Sequence, residues 1–255
     1  FHGHPASLIW KKNWKKNPKN MPVAELNKMR QPAAALFPHG ILANSPTQPL
    51  LDTTKGRFGP FANQMFIGEM NLKRLLRFIP DEVNGTLQGT LIPFLDGNEL
   101  GNGNNRLAFD KKGNLWVGKT HLSWAGDEGL KKISWDGKSE FDVLNVKQIS
   151  KGLRLTFTEK VDAQIANKAV NYSIKKYRFD YHAKYGSARK DEQEVHINSI
   201  SVSKDGLSVD LHLANLSKGY VYQFETGRLR SLSGRELASS LFCYNLIELV
   251  ETIDP

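Results

Sequence analysis

From residue 64 onwards, the chain consists of short apolar runs separated by residues that favour turns. In the run 208–213, Val209, Leu211 and Leu213 alternate with polar residues and share one face, which is the pattern of a half-buried strand. The chain has 21 glycines, which with Asp and Asn supply the tight conformations that connect strands. We therefore predict an all-β fold with strands at 64–70, 73–79, 89–94, 105–109, 115–119, 130–135, 153–157, 172–179, 195–202, 208–213, 220–225 and 241–246.

The predicted strands fall into two groups. Up to residue 135 their spacing is typical of four-stranded antiparallel blades, with hairpin or exit turns at 110–114 and 135–137. The span 51–139 has room for about two blades of a β-propeller. The strands from 153 onwards fit a β-sandwich. We expect a partial propeller over 1–139 and an immunoglobulin-like sandwich over 140–255, with the remaining blades upstream in a longer parent chain.

The first 50 residues are rich in proline, which excludes a long helix or a central strand there. Only residues 23–30 could form a short helix. This segment also concentrates the charge: residues 1–30 contain seven Lys or Arg and one Glu, a surplus of six within a net charge of +9. Bases interleaved with Trp14 could contact single-stranded nucleic acid. We favour a solvated loop that Trp10 and Trp14 anchor to the body, and expect no nucleic-acid partner.

Several common cofactor and membrane signals are missing from the sequence. Cys243 is the only cysteine, so no internal disulfide can form, and no C-x-x-C-H motif is present to attach haem. No apolar run approaches the roughly 18 residues of a membrane-spanning helix. We therefore predict no haem and no membrane span.

Particular strings resemble a known family. The segments 59–69, 105–110 and 116–118 resemble the glucose/sorbosone dehydrogenase-like propellers of large extracytoplasmic bacterial proteins, and 153–162, 181–187 and 219–222 resemble the Ig-like domain that often follows them. The resemblance implies a periplasmic or secreted protein and a sugar or polyol dehydrogenase that uses pyrroloquinoline quinone and calcium. It also implies that Asn105, Arg106 and Lys119 face the cofactor, and that most of the active site lies upstream.

The loop after the predicted strand 115–119 holds the best candidates for chemistry. His121 and Asp127 could transfer a proton, and Trp124 could offer an apolar face to a sugar ring. Alternatively, His121 and Trp124 serve only the packing of their own loop. The competing function is a non-catalytic scaffold that binds carbohydrate or protein, because a fold alone does not decide between the two.

Two further motifs suggest metals more weakly. His2 and His4 would share one face of a strand, but no third ligand stands nearby, so we predict no metal site. The segment 96–104 is rich in oxygen ligands, as a calcium loop is. However, Leu107 occupies the position where an EF-hand loop has Glu, so we favour a loop dense in turns.

Overall fold

The computed structural model describes residues 1–10, 15–17, 20–122, 126–184 and 186–250. Within them the chain is 42% strand and 9% helix, and the strand pairs are antiparallel, which confirms the predicted all-β class. In the described part of the chain, the helical segments are two 3-10 helices, Pro5–Trp10 and Ala169–Asn171, with α1 (Val23–Met29) and α2 (Ala163–Ala166). The strands are β1 (Pro46–Leu51), β2 (Met65–Glu69), β3 (Arg74–Val83), β4 (Thr86–Asp96), β5 (Asn104–Phe109), β6 (Leu115–Lys119), β7 (Leu130–Ile133), β8 (Val143–Ile149), β9 (Gly152–Phe157), β10 (Ser173–Phe179), β11 (Arg189–Glu194), β12 (Ile197–Val202), β13 (Ser208–Leu213), β14 (Tyr220–Glu225) and β15 (Leu241–Leu246).

The strands of the described ranges form three sheets. The largest has eight strands in the order β1-β2-β3-β4-β15-β14-β10-β11, the second has four in the order β12-β13-β9-β8, and the third contains β5-β6-β7. The pairing of β4 with β15, with Leu91 opposite Cys243, joins the N-terminal strands of the large sheet to its C-terminal strands. The division at 139/140 stays a prediction about domains, but one sheet contains strands from both sides of it.

The sandwich core lies between the eight-stranded and the four-stranded sheets. Strands β14 and β15 contribute Tyr222, Phe224, Phe242 and Tyr244 to it, all fully buried. The four-stranded sheet contributes apolar residues at every second position, among them Leu153, Leu155, Phe157, Val209, Leu211 and Leu213. Burial of this alternating set is the main stabilising contribution to the two-layered part of the fold.

The opposite face of the large sheet is covered as well. Residues 34–43 from the proline-rich segment lie over it, and Val221 and Cys243 point into the resulting second core. The N–H of Leu36 donates to the side chain of Asn245 at 3.0 Å, which fixes the segment to β15. This segment, with Pro38 in its middle, therefore serves as an irregular covering layer, which needs no sheet hydrogen bonds.

The three-stranded sheet packs on the same face of the large sheet as the sandwich does, but towards β2 and β3. Its core includes Phe58, Phe66, Leu107, Leu115 and Val117. Along β3, Leu75 belongs to this core and Ile79 belongs to the sandwich core, with Arg77 between them on the same face. Arg77 thus marks the junction of the two cores.

The structure confirms all twelve predicted strands to within a few residues, together with the helix at 23–30. It adds β1, β8 and β11, which no sequence pattern had predicted.

The expectation that Trp10 anchors its loop is wrong: Trp10 is 83% exposed, because the 3-10 helix buries only Leu8. Trp14 lies outside the described residues. Among the helices of the described ranges, none has the length and hydropathy needed to cross a membrane. The propeller and the Ig-like assignments stay predictions.

We expect Cys243 to be unreactive in the folded protein. Its side chain is fully buried, and burial raises the pKa of the thiol to about 12, so the nucleophilic thiolate is scarce at about pH 8. A thiol-reactive chromophore should therefore label no cysteine in native buffer and one cysteine per chain in denaturant. Rapid labelling of the native protein would contradict the position of β15 in the middle of the large sheet.

Candidate functional site

The predicted cofactor-binding residues lie at one end of the three-stranded sheet. Asn105 donates to the Thr120 hydroxyl at 2.9 Å, and Arg106 donates to the Asn105 side-chain oxygen at 2.7 Å. Lys119 ends β6, and its Nζ donates to the carbonyl oxygen of Asn102 at 2.6 Å. The structure therefore brings these residues together, and they bond mainly to their own neighbours.

Lys119 is enclosed. Its side chain is 0% exposed, and its Nζ lies 3.7 Å from an oxygen of Asp127, whose side chain is 55% exposed. Burial lowers the pKa of Lys119, while the carboxylate of Asp127 acts in the opposite direction. A Cβ atom at Gly101 would lie 2.7 Å from Asp127 and 3.0 Å from Nζ, so glycine is what allows the loop to close over this pair.

The predicted proton-transfer pair, His121 and Asp127, makes no contact like the one between Lys119 and Asp127. His121 is exposed, and within the described part of the chain no hydrogen bond or ion pair connects it to Asp127. The two residues are neighbours only because the backbone of Gly126 approaches that of Thr120 and His121 closely. Trp124 lies outside the described residues. The roles of His121, Asp127 and Trp124 stay predictions.

The fit to a quinone cofactor is poor. Pyrroloquinoline quinone is a tricarboxylate, so its binding requires positive side chains that are free to pair with it. Lys119 is already bonded to Asn102 and enclosed with Asp127, which leaves Arg106 as the accessible charge of the predicted set. The quinone and calcium remain predictions from the sequence resemblance.

The two weaker metal candidates are engaged in other contacts. In the segment 96–104, Asp96 pairs with Arg74 at 2.5 Å, and Asn98 accepts a hydrogen bond from Lys73 at 2.8 Å. These contacts support the turn-dense loop. His4 accepts a hydrogen bond from the N–H of Ala6 at 3.3 Å. Within the described ranges, no group of three or more His, Cys, Asp or Glu is placed to hold a metal ion.

A polar cleft, which no sequence motif indicated, lies at one end of the sandwich. Its volume is about 580 Å³. It is formed where the β3–β4 turn, the β8–β9 turn, the segment after β13 and the segment after β15 converge. Its apolar lining contains Leu213, Leu216, Leu249 and Val250, and its polar lining contains Asn84, Gln148, Lys151, Asn198, Asn215, Lys218 and Glu248.

Backbone contacts fix the turns that surround the cleft. Asn84 donates from its side chain to the carbonyl of Leu249 at 3.1 Å, and Lys176 donates to the carbonyl of Asn215 at 2.7 Å. Lys218 pairs with Glu248, and this hydrogen bond holds the pKa of Glu248 below its usual value. Glu248 is therefore ionised at neutral pH, and its charge is balanced by Lys218.

Other polar groups of the cleft are free. The side-chain amides of Asn198 and Asn215 and the ammonium of Lys151 make no hydrogen bond or ion pair within the described residues. Asn198 lies where the β12–β13 register shifts, between Ile197 and Ser199, and such a bulge turns a side chain away from its regular direction. The cleft thus offers two amides and one positive charge to a ligand.

Three turn residues of the cleft have left-handed backbone. Asn84, Lys151 and Asn215 have φ values of 50°, 59° and 54°, and they are three of the seven non-glycine residues with positive φ in the described structure. For lysine this conformation is unfavourable, since its Cβ crowds the backbone. Residues held in such conformations concentrate at functional sites. A sequence signal did exist, in the form of Asn at turn positions, but nothing in it indicated that these turns meet.

Comparisons with known proteins give no family. No family model matches the chain, and no curated protein matches it. Three solved structures of a bacterial S-layer protein are similar over part of it: rSbsC(31-844) at 25% identity, the N-terminal part of SbsC at 27% and SbsC domains 1-6 at 24%. They cover 42–44% of this chain, and this chain covers 14–24% of theirs. The TM-scores of 0.32–0.34 are too low to indicate a shared fold.

Proposed function

We propose that this chain is a non-catalytic carbohydrate-binding module of an extracytoplasmic multidomain protein. The observation that carries the proposal is the cleft of about 580 Å³ at the end of the sandwich, where the side chains of Asn198 and Asn215 are free to bond. An amide offers both donors and an acceptor, which is what the adjacent hydroxyl groups of a sugar require. The extracytoplasmic location is supported by the sequence resemblance alone.

The proposal includes a finer description of the fold. The two-layered core between the large and the four-stranded sheets supports an Ig-like sandwich, whose loops at one end form the cleft. The partial propeller is supported by the sequence resemblance and by the antiparallel succession of β5, β6 and β7. In this proposal the N-terminal part of the chain connects the module to the upstream blades of a parent protein.

The charges of the cleft narrow the class of sugar. Because Lys218 and Glu248 neutralise each other, Lys151 gives the lining an excess of one positive charge. Neutral glycans should therefore bind through the amides, and glycans with a carboxylate or sulfate group should bind more tightly. Leu216 and Leu249, which are half-buried, provide an apolar surface for the carbon atoms of the ring.

A quinone-dependent dehydrogenase remains the alternative. It is supported by the sequence resemblance, whereas the enclosure of Lys119 counts against it. The parent protein, supplied with quinone and calcium and screened with sugars and polyols against a dye acceptor, distinguishes the two functions. Substrate-dependent reduction of the dye would favour the dehydrogenase.

An array of immobilised neutral and acidic glycans tests the proposed binding. We expect the chain to bind at least one class, and free oligosaccharide to compete. Lys151→Gln should keep binding to neutral glycans and weaken binding to acidic ones by about threefold or more, since one nearby charge contributes on the order of 1 kcal/mol in water. Absence of binding across the array would overturn the proposal.

A further inference from the structure

A second cavity lies at the junction of the three-stranded sheet and the sandwich, and it shares no lining residue with the polar cleft. Its volume is about 190 Å³. Three phenylalanine rings and one tryptophan ring line it, from Phe58, Phe61, Phe94 and Trp135. Cavities of roughly 150 Å³ with apolar walls are known to bind a single benzene ring, so the volume suits one aromatic ring.

The walls of this cavity are held in place. The Phe94 ring packs against Phe58 in a tilted arrangement and against Phe61 edge to face, with the Phe61 and Phe94 centroids 5.4 Å apart. Behind them the Arg77 guanidinium lies 4.3 Å from the centre of the Phe61 ring. Trp135 is held by the hydrogen bond from its indole N–H to the carbonyl of Lys138, at 2.8 Å. The cavity is therefore formed before any ligand arrives.

The mouth of the cavity differs from its walls. Trp135 is 41% exposed there, and Ser134, Lys138 and Glu140 are exposed beside it. A ligand that fits would place an apolar ring inside and a polar substituent at the mouth, where it can bond to the serine hydroxyl or the glutamate carboxylate. A phenol has this distribution of apolar and polar groups.

We propose that this cavity is a binding site for a single aromatic ring that carries a hydroxyl group. Face and edge contacts with the surrounding rings provide the attraction, and the hydroxyl at the mouth orients the ring. Such a ring can belong to a free phenolic compound or to a tyrosine side chain of a partner, and the chemistry recognised is the same. The site is independent of the proposed carbohydrate binding.

Fluorine NMR of 4-fluorophenol with the whole chain tests the site. We expect a saturable change in the shift or width of the fluorine signal. Ala238→Leu should weaken binding at least about tenfold, because Ala238 lines the cavity and a leucine there occupies the space of the ring. Ala238 is exposed, and its N–H makes a backbone bond to Phe141, which leucine retains.

The matched control is Ala188→Leu, which adds the same side chain at an exposed position outside the cavity and should leave binding unchanged. Thermal unfolding of both variants verifies that they fold. N-acetyltyrosinamide and phenol, each added as a competitor of 4-fluorophenol, identify the source of the ring. Stronger competition by N-acetyltyrosinamide indicates a tyrosine of a partner, and stronger competition by phenol indicates a free phenolic compound. No saturable signal with the native chain, or equal binding by Ala238→Leu, would overturn the proposal.

Discussion

Replacement of Arg77 by methionine is expected to lower the free energy of unfolding by about 3–5 kcal/mol. Arg77 is 0% exposed and donates to the Asp142 carboxylate at 2.5 Å, to Gln64 at 2.7 Å and to the carbonyl of Val143 at 3.0 Å. Burial lowers the pKa of Arg77 and raises that of Asp142, although each charge stabilises the other. Removal of the guanidinium therefore leaves a buried carboxylate without its partner.

The loss of stability in Arg77→Met should depend on pH. In Arg77→Met the carboxyl of Asp142 has lost the charge that lowers its pKa, so its folded-state pKa rises further above the unfolded value. Between the unfolded and the folded pKa of Asp142, the folded variant then binds more protons than the unfolded chain. Its stability therefore falls as pH rises from the unfolded pKa through the folded pKa. We expect the variant to be closer to the native protein in acid than at neutral pH.

Chemical denaturation across this pH range measures the effect. The matched control is Arg154→Met, which removes an exposed pair with Asp210 and should cost less than about 1 kcal/mol. The double variant Arg77→Met with Asp142→Leu should recover part of the loss, because no charge then stays buried. Equal destabilisation by Arg77→Met and Arg154→Met would contradict the position of Arg77 between the two cores.

Replacement of Phe242 by alanine should cost about 3–5 kcal/mol, since the cavity it leaves adds to the lost burial of the ring. Phe242 is 0% exposed on β15 and stacks on Phe224, with ring centres 4.8 Å apart and planes 7° from parallel. Both rings belong to the core that joins the large and four-stranded sheets.

Thermal and denaturant unfolding measure this second effect. Val170→Ala is its control, because Val170 is 68% exposed and its truncation should change the free energy of unfolding by no more than about 0.5 kcal/mol. A Phe242→Ala variant as stable as this control would show that β15 does not contribute to the sandwich core as described.

Local patterns in the sequence were sufficient to predict most strands. The alternation in 208–213 and the turn at Lys204-Asp205-Gly206 predicted β13 and its hairpin with β12, and the structure has both. These signals succeed because side-chain period and positive-φ glycine are properties of a few adjacent residues. The missed strand β11 shows where they fail: Arg189–Glu194 is exposed throughout and charged at every position except Gln193, and it forms only as an edge partner of β10.

Local patterns could not predict which strands pair when they are far apart in the sequence. Nothing in the run 89–94 indicates that Leu91 lies opposite Cys243, because apolar strands are compatible with many partners. For the same reason, strand spacing grouped β2, β3 and β4 with the strands that follow them. Among the candidate sites, sequence reasoning identified the one around Lys119 and Asp127, because these two residues belong to one local loop. It missed the cleft, since Asn84, Asn198 and Asn215 meet only after the sheets assemble.

Titration calorimetry with the glycan that binds best on the array tests the central claim most directly. The variant to compare with the native chain is Asn198→Ala with Asn215→Gly, in which glycine accommodates the left-handed backbone of Asn215 and only the amides are lost. Loss of two hydrogen-bonding groups should weaken binding by about tenfold or more. Asn167→Ala, at an exposed position outside the cleft, should bind like the native chain. Equal affinity of all three proteins would contradict the assignment of the cleft as the carbohydrate site.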